Sequence, residues 1–177
     1  MSSHSKAETI AKDIKLLILD VDGVLTDGGI YFDDNGTEHK KFDSQDGCGI
    51  KLLELCGVEV AIITARSTLS VAHRLETLGV KNYYHGIKDK GKALKELSEK
   101  LSIDLSESAF VGDDVIDLPA MSKVALPIAV ANAHSFVKEN ALMVTEKAGG
   151  SGAVREVCDF LLKAQNKYDS LMKSFLK

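Results

Sequence analysis

The chain has 177 residues, 45% of them hydrophobic and 27% charged, with a formal net charge of −4. That length suits one compact domain of residues 1–177, and the composition suits a packed core and excludes a disordered chain. It also excludes a global basic field for nucleic acid, so an anionic ligand has to be met by local cations.

Met1 to Lys15 is polar and charged and lacks the apolar core of a secretion signal. No later apolar run is long enough to span a bilayer, so a soluble cytoplasmic protein with no membrane partner is expected. Ile14–Leu19 is a short, nearly continuous apolar run that ends at Asp20. Such runs read as strands buried on both faces, as in a parallel sheet. Further runs follow at Val58–Thr64, Ala109–Gly112, Val124–Val130 and Ala141–Thr145, with a weaker one at Lys81–His85. Helical patterns lie between them, at Gly49–Leu55, Thr68–Leu78, Lys90–Leu101, Leu118–Lys123 and Ser135–Asn140. This alternation predicts an α/β fold with a doubly wound, mainly parallel, Rossmann-like sheet.

Two segments break the alternation. In residues 28–42, Asn35-Gly36 lies between two strand-like arms, which predicts a β-hairpin, because both turn positions tolerate positive φ. In residues 152–177, apolar residues from Val154 to Phe175 recur at helical spacing, which predicts a helical tail beyond what the domain needs. The three cysteines, Cys48, Cys56 and Cys158, are far apart and show no C-x-x-C spacing. Buried free thiols are expected, not a disulfide framework or a zinc site.

The acids fall where chemistry would need them. Ligands of an open α/β sheet bind beyond the carboxyl ends of its strands. Asp20 and Asp22 follow the first run, Thr64 ends the second, and Asp113, Asp114 and Asp117 follow the run through Val111. Separate strands therefore deliver these side chains to one edge. Clustered carboxylates repel one another and favour a cation between them, and oxygen ligands suit Mg²⁺. A cation that also meets a phosphate points to phosphoryl chemistry, with a carboxylate as nucleophile. Taken alone, Thr64 reads equally as a strand-end hydroxyl, Lys90 as a solvated helix-start charge and Asp117 as a helix cap.

Asp20-Val21-Asp22-Gly23-Val24-Leu25-Thr26 resembles the first motif of the haloacid dehalogenase superfamily. Thr64 in Ile62-Ile63-Thr64-Ala65-Arg66 resembles the second, Lys90 the third, and Gly112-Asp113-Asp114-Val115-Ile116-Asp117 the fourth. The resemblance implies that Asp20 attacks phosphorus and that Asp22 serves as acid and base while its main-chain carbonyl binds Mg²⁺. It also implies that Thr64 and Lys90 grip the phosphoryl oxygens and that Asp113 completes the metal shell. Asp20, Asp22 and Asp113 are thus the implied metal ligands, with Asp114 and Asp117 in support.

Only 43 positions separate Asp20 from Thr64 and 25 separate Thr64 from Lys90, so neither gap holds a cap domain. The 28–42 hairpin stands in its place, and a neighbouring subunit is expected to close the site. This capless layout resembles the 3-deoxy-D-manno-octulosonate 8-phosphate phosphatases of bacterial lipopolysaccharide synthesis. That resemblance implies a homotetramer with its hairpins at the centre and its tail near a neighbour's site. It implies substrate contacts at Asp22, Asp43, Ser44, Gln45, Asp46, Gly47, Lys51, Arg66, Arg74 and Lys90. The substrate carries a carboxylate as well as a phosphate, which suits a two-pronged arginine. The family commonly has Asn-Val-Arg-Asp-Gly where Asp43-Ser44-Gln45-Asp46-Gly47 stands, and arginine at Lys51 and Ser151. An acylneuraminate 9-phosphate therefore stays open as the sugar acid phosphate substrate. A phospho-receiver domain, which also clusters acids with Thr and Lys, is the reading from a different class; it lacks the second Asp two positions beyond the first.

Overall fold

The computed structural model describes residues 3–177, with side chains described from Ser5 onward. Met1 and Ser2, the start of the polar N-terminal segment, lie outside the described residues. The chain runs through α1 (Ser3–Ala11), β1 (Leu16–Leu19), β2 (Tyr31–Phe32), β3 (Glu38–His39), α2 (Ser44–Leu55), β4 (Glu59–Ile63), α3 (Leu69–Leu78) and β5 (Asn82–Tyr84). It continues through α4 (Lys90–Leu101), β6 (Ser108–Gly112), α5 (Leu118–Met121), β7 (Leu126–Ala129), α6 (Ser135–Glu139), β8 (Met143–Val144), α7 (Ala153–Ala164) and α8 (Tyr168–Ser174).

β1 is apolar at every position because it is covered on both faces, and all four of its side chains are buried. Each contributes about 1.5–3 kcal/mol relative to exposure. The sheet order is β5-β4-β1-β6-β7-β8, and every pairing in it is parallel. Leu19 aligns with Ile62 on one side and Val111 on the other, so the residues just beyond these three emerge side by side. The chain winds outward from β1 in both directions, which makes the β1–β6 boundary the switch point of the sheet. α2 packs on α7, with α1 beside α7, and α4 pairs with α5. No helix among the described residues is long and apolar enough to cross a membrane.

The doubly wound sheet with a hairpin insertion is as the sequence predicts, and several local expectations need correction. α2 begins at Ser44, five residues ahead of Gly49, because the Asp43 carboxylate accepts from Gln45 N at 2.6 Å and Asp46 N at 3.3 Å. That side-chain cap supplies a start that the apolar pattern alone does not show. α1 is a further helix, anchored through Ala7 and Ala11, both fully buried.

The hairpin does not turn on Asn35-Gly36 alone. Gly36 N donates to Asp33 O at 3.0 Å and Asp33 N to Thr37 O at 3.1 Å, while only Gly36 takes a positive φ, 77°. This is the longer loop with one left-handed residue, and the Asp33 side chain stabilises it by accepting from Asn35 N and Thr37 N. The tail also divides. α7 is part of the core, with Val154, Val157, Cys158, Leu161 and Leu162 fully buried, and only α8 lacks buried residues. Asn166, at φ 56°, separates the two helices. Of the cysteines only Cys158 is buried; Cys56 is half-buried and Cys48 exposed.

Candidate active site

Directly after β1 the chain makes a wide helical turn over Val21–Leu25, closed by Thr26 N donating to Val21 O at 3.0 Å. Gly23 sits in that turn at φ 87°, where a Cβ would lie 2.0 Å from Asp113 Oδ2. Both the backbone angle and the approach of Asp113 therefore require glycine. The turn leaves Asp20 buried at the strand end, with its N–H bonded to Val111 O of β6 at 3.1 Å.

Lys90, the first residue of α4, is the largest fully buried side chain. Its Nζ lies 2.9 Å from Asp20 Oδ1 and 2.6 Å from Asp117 Oδ1. A solvated surface role for Lys90 is thereby excluded. Asp117 is fully buried and does not cap α5 through its side chain. Its other oxygen accepts from Asp113 N at 3.0 Å and Asp114 N at 3.3 Å, which fixes the loop after β6. His134 N holds Asp113 O from the far side at 2.8 Å.

One carboxyl oxygen each from Asp20, Asp113 and Asp117 lie within 4.8 Å of one another. Burial, then the Asp117 charge, pushes the Asp20 carboxyl up to about 7 against the opposing pull of Lys90. Burial, then the charges of Asp117, Asp20 and Asp114, pushes Asp113 up to about 7. Burial alone would lower the Lys90 ammonium, but Asp20 and Asp117 outweigh it and raise that group. The Asp117 carboxylate is already occupied by Lys90 and two N–H groups. Asp20 and Asp113 remain under-neutralised, and an oxygen-seeking divalent cation fits between them.

Asp20, Asp22, Thr64, Arg66, Lys90, Asp113 and Asp114 line one cleft of about 240 Å³, with Gly28 and Ile30 of the hairpin segment at its rim. Thr64 is buried at the end of β4, and its hydroxyl accepts from Arg66 N at 3.4 Å. Lys40 and Glu38, which carry no motif signal, also reach this region. The Lys40 ammonium bonds the Asp22 carboxylate, and Glu38 bonds Lys40 at 2.9 Å and Arg66 at 2.7 Å. Their only trace in the sequence is the i, i+2 spacing of an acid and a base on a hairpin strand.

The remaining expected substrate contacts gather elsewhere, around the start of α2. Ser44, Gln45 and Lys51 are exposed, and Arg74 of α3 donates to Asp43 O at 3.3 Å. Arg74 lies across Gly47, where a Cβ would come within 2.2 Å of its guanidinium. None of these residues lines the cleft of its own chain. Asp46 differs from these neighbours. It is 1% exposed, and its Oδ1 accepts from Arg155 N at 2.7 Å in the first turn of α7. The N-terminal position of α7 is held by Gly152, which has no side chain, so Asp46 caps the helix from α2. Burial pushes this carboxyl up to about 6. Within this chain its Oδ1 serves as a helix cap.

The model of the haloacid dehalogenase-like hydrolases matches residues 84–157. A 3-deoxy-D-manno-octulosonate 8-phosphate phosphatase of Salmonella typhi is 52% identical over 161 residues, covering 91% of this chain and 86% of that one. The enzyme of the same name from Escherichia coli K12 is 52% identical over 165 residues, 92% and 88% of the two chains. The crystal structure of the Moraxella catarrhalis phosphatase of this name, in complex with magnesium, phosphate and KDO, superposes with a TM-score of 0.94 at 43% identity. It covers 97% of this chain and 98% of that one.

Proposed function

This chain belongs to the 3-deoxy-D-manno-octulosonate 8-phosphate phosphatase family, and we propose that it hydrolyses that ester with Asp20 as the phosphoryl carrier. The reading rests on one observation: Asp20 ends the central strand as a buried carboxyl between Lys90 and Asp113, at the floor of a cleft that Thr64 and Arg66 also line. The enzyme is a magnesium-dependent phosphomonoester hydrolase. Asp20, Asp113 and the main-chain carbonyl of Asp22 would hold Mg²⁺, which when bound neutralises charge shared between enzyme and phosphate.

An Asp20 carboxylate oxygen attacks phosphorus as the bond to the sugar oxygen breaks, and Asp22 gives that oxygen its proton. Water then attacks phosphorus and yields a proton to Asp22. The bond from Asp20 to phosphorus breaks, releasing phosphate and restoring both carboxyls. Thr64 and Lys90 orient the phosphoryl oxygens throughout, and Lys90 balances the charge that Asp20 carries. Asp117 acts through Lys90 and through the loop bearing Asp113.

Arg66 is the cleft cation that suits the substrate carboxylate. Asp43, Ser44, Gln45, Gly47, Lys51 and Arg74 would serve a substrate only across a subunit boundary. A homotetramer is supported by the exposed apolar hairpin, where Ile30, Tyr31 and Phe32 are 62, 46 and 63% exposed beside the cleft. The cytoplasm is the place we assign to it. A panel of sugar acid phosphates tests the substrate. 3-Deoxy-D-manno-octulosonate 8-phosphate is expected to surpass acylneuraminate 9-phosphate by about tenfold or more in kcat/KM, a difference of about 1.4 kcal/mol. Preference for the acylneuraminate ester would reassign the sugar, and labelling of Asp20 without turnover would make the chain a receiver.

A further inference from the structure

We propose that Lys40 of the hairpin is a positioning residue for Asp22, holding the acid–base carboxyl toward the leaving oxygen. The inference rests on the phosphatase reading above.

Alternation along a strand sends Glu38 and Lys40 to one side of the hairpin and His39 and Lys41 to the other. The two pairs meet different surroundings. His39 and Lys41 are 62% exposed at the side chain, whereas Lys40 is 1% exposed and Glu38 15%. A lysine whose side chain is this buried needs partners, and Lys40 has two: Asp22 after β1 and Glu38 on its own strand. Glu38 is anchored in turn by Arg66, which follows β4. The bonds from Lys40 and then the nearby Arg66 charge hold the Glu38 carboxyl below its ordinary range despite some desolvation.

The base of the hairpin is fixed independently. Thr26 bridges Phe42, and the Thr26 hydroxyl accepts from Gly23 N and Gly28 N, both at 3.3 Å. Lys40 therefore approaches Asp22 from a support tied to the same turn that carries Asp22. Asp22 lies on that turn with backbone angles outside the helical region, and no other side-chain bond is made to its carboxylate among the described residues. Without Lys40 its side chain is free to rotate away from the cleft. General acid–base catalysis depends on hydrogen-bond reach to the reacting oxygen, so this freedom costs rate.

The charge ladder Asp22–Lys40–Glu38–Arg66 thus joins the acid–base residue to the cleft arginine through the hairpin. It also assigns a function to the hairpin within its own chain, separate from contacts between subunits.

Leaving-group dependence tests this. A sugar alkoxide needs a proton as it leaves, whereas p-nitrophenolate leaves well without one. Lys40→Met keeps the buried stem and removes the donor. We expect kcat on the sugar acid phosphate to fall about tenfold or more, part of the ~10²–10⁴ that a positioned acid supplies. The loss on p-nitrophenyl phosphate should be under about threefold, with Lys40→Arg restoring part of the sugar phosphate activity. Glu38→Gln keeps Lys40 but weakens its anchor, and should show the same selectivity at a smaller factor; it stands in if Lys40→Met fails to fold by circular dichroism. Equal losses on the two esters in folded variants, or no loss, overturn the proposal while leaving the phosphatase reading intact. Wild-type protein that turns over neither ester removes both.

Discussion

Lys90 Nζ lies 2.9 Å from Asp20 Oδ1, a buried cation against a buried carboxyl at the end of the central strand. The same ammonium holds Asp117 on its other side. Neither acid is redundant, because one faces the cleft and the other braces the loop that carries Asp113.

Asp20→Asn separates chemistry from structure. Phosphate release should fall by at least ~10³-fold, since a nucleophile acting within a concerted set has no substitute. Lys90 keeps Asp117 as its partner, so the thermal midpoint should stay the same or rise as repulsion with Asp113 and Asp117 is relieved. Phosphate assays paired with a thermal melt read both, and a folded variant with substantial turnover would remove Asp20 as nucleophile.

Protons and Mg²⁺ compete for the same oxygens. Without the cation, Asp20 and Asp113 are held up to about 7, so they take up protons as pH falls through that value. Mg²⁺ affinity should be nearly level above pH 8 and weaken by about tenfold or more per pH unit below 7. The sign for stability is the reverse. Groups with raised folded values stabilise the protein when protonated, so chelator-treated protein should gain stability from these two groups between pH 7.5 and 5.5, and Mg²⁺-saturated protein should not. Calorimetric titrations and melts at matched pH check both trends; a cation affinity indifferent to pH across this range would contradict the raised carboxyls.

Asp46 should behave as a helix cap. Asp46→Ala removes the acceptor for Arg155 N and is expected to cost about 1–2 kcal/mol of stability, with KM within about twofold of wild type. The folded carboxyl is raised to about 6 from an ordinary ~3.9, so its contribution is gained as pH falls from about 6 to 4 and lost as pH rises through 6. Asp46→Asn should abolish that trend, seen as a difference of roughly 2–3 kcal/mol between the two proteins' pH profiles in denaturant melts. A large rise in KM with unchanged stability would return Asp46 to the substrate site.

Removal of residues 168–177 isolates α8 from the rest of the tail. Gln165 Nε2 donates to Ala11 O and Ile14 O, and Lys167 Nζ donates to Cys56 O, so a cut at Lys163 would disturb the core as well. α8 has no fully buried residue, but Tyr168, Leu171 and Met172 pack partly buried against the core, so its deletion should cost about 1–3 kcal/mol while leaving the fold intact. Turnover should change if the tail serves a neighbouring subunit's site. Unchanged kcat and KM in the shortened protein would count against that role.

Much of the site was readable because the period of an element and the residue that ends it are both written in sequence. The run Leu16–Leu19 is apolar throughout since both faces are covered, and the first acid after it must lie at the strand end. Parallel strands then place such ends together, which is why Asp20, Thr64 and Asp113 line one cleft. Local rules failed where a partner came from far away along the chain. The resemblance implied Asp46 as a substrate contact, and nothing local in the sequence points to its bond with Arg155 N, which depends on α7 packing against α2. Lys90 and Asp117 each had an ordinary surface reading until burial joined them.

The sequence by itself determined the alternation of strands and helices from β1 to β8, the acids at the strand ends and the class of chemistry, because periodicity and strand-end position are properties of local chain geometry. Tertiary structure alone decided that Lys40 meets Asp22, that Asp46 meets α7, and that the cluster at the start of α2 stands apart from the cleft of its own chain. Those pairings are set by which side chains lose water together when the sheet closes, and burial of a charge selects its partner by distance in space.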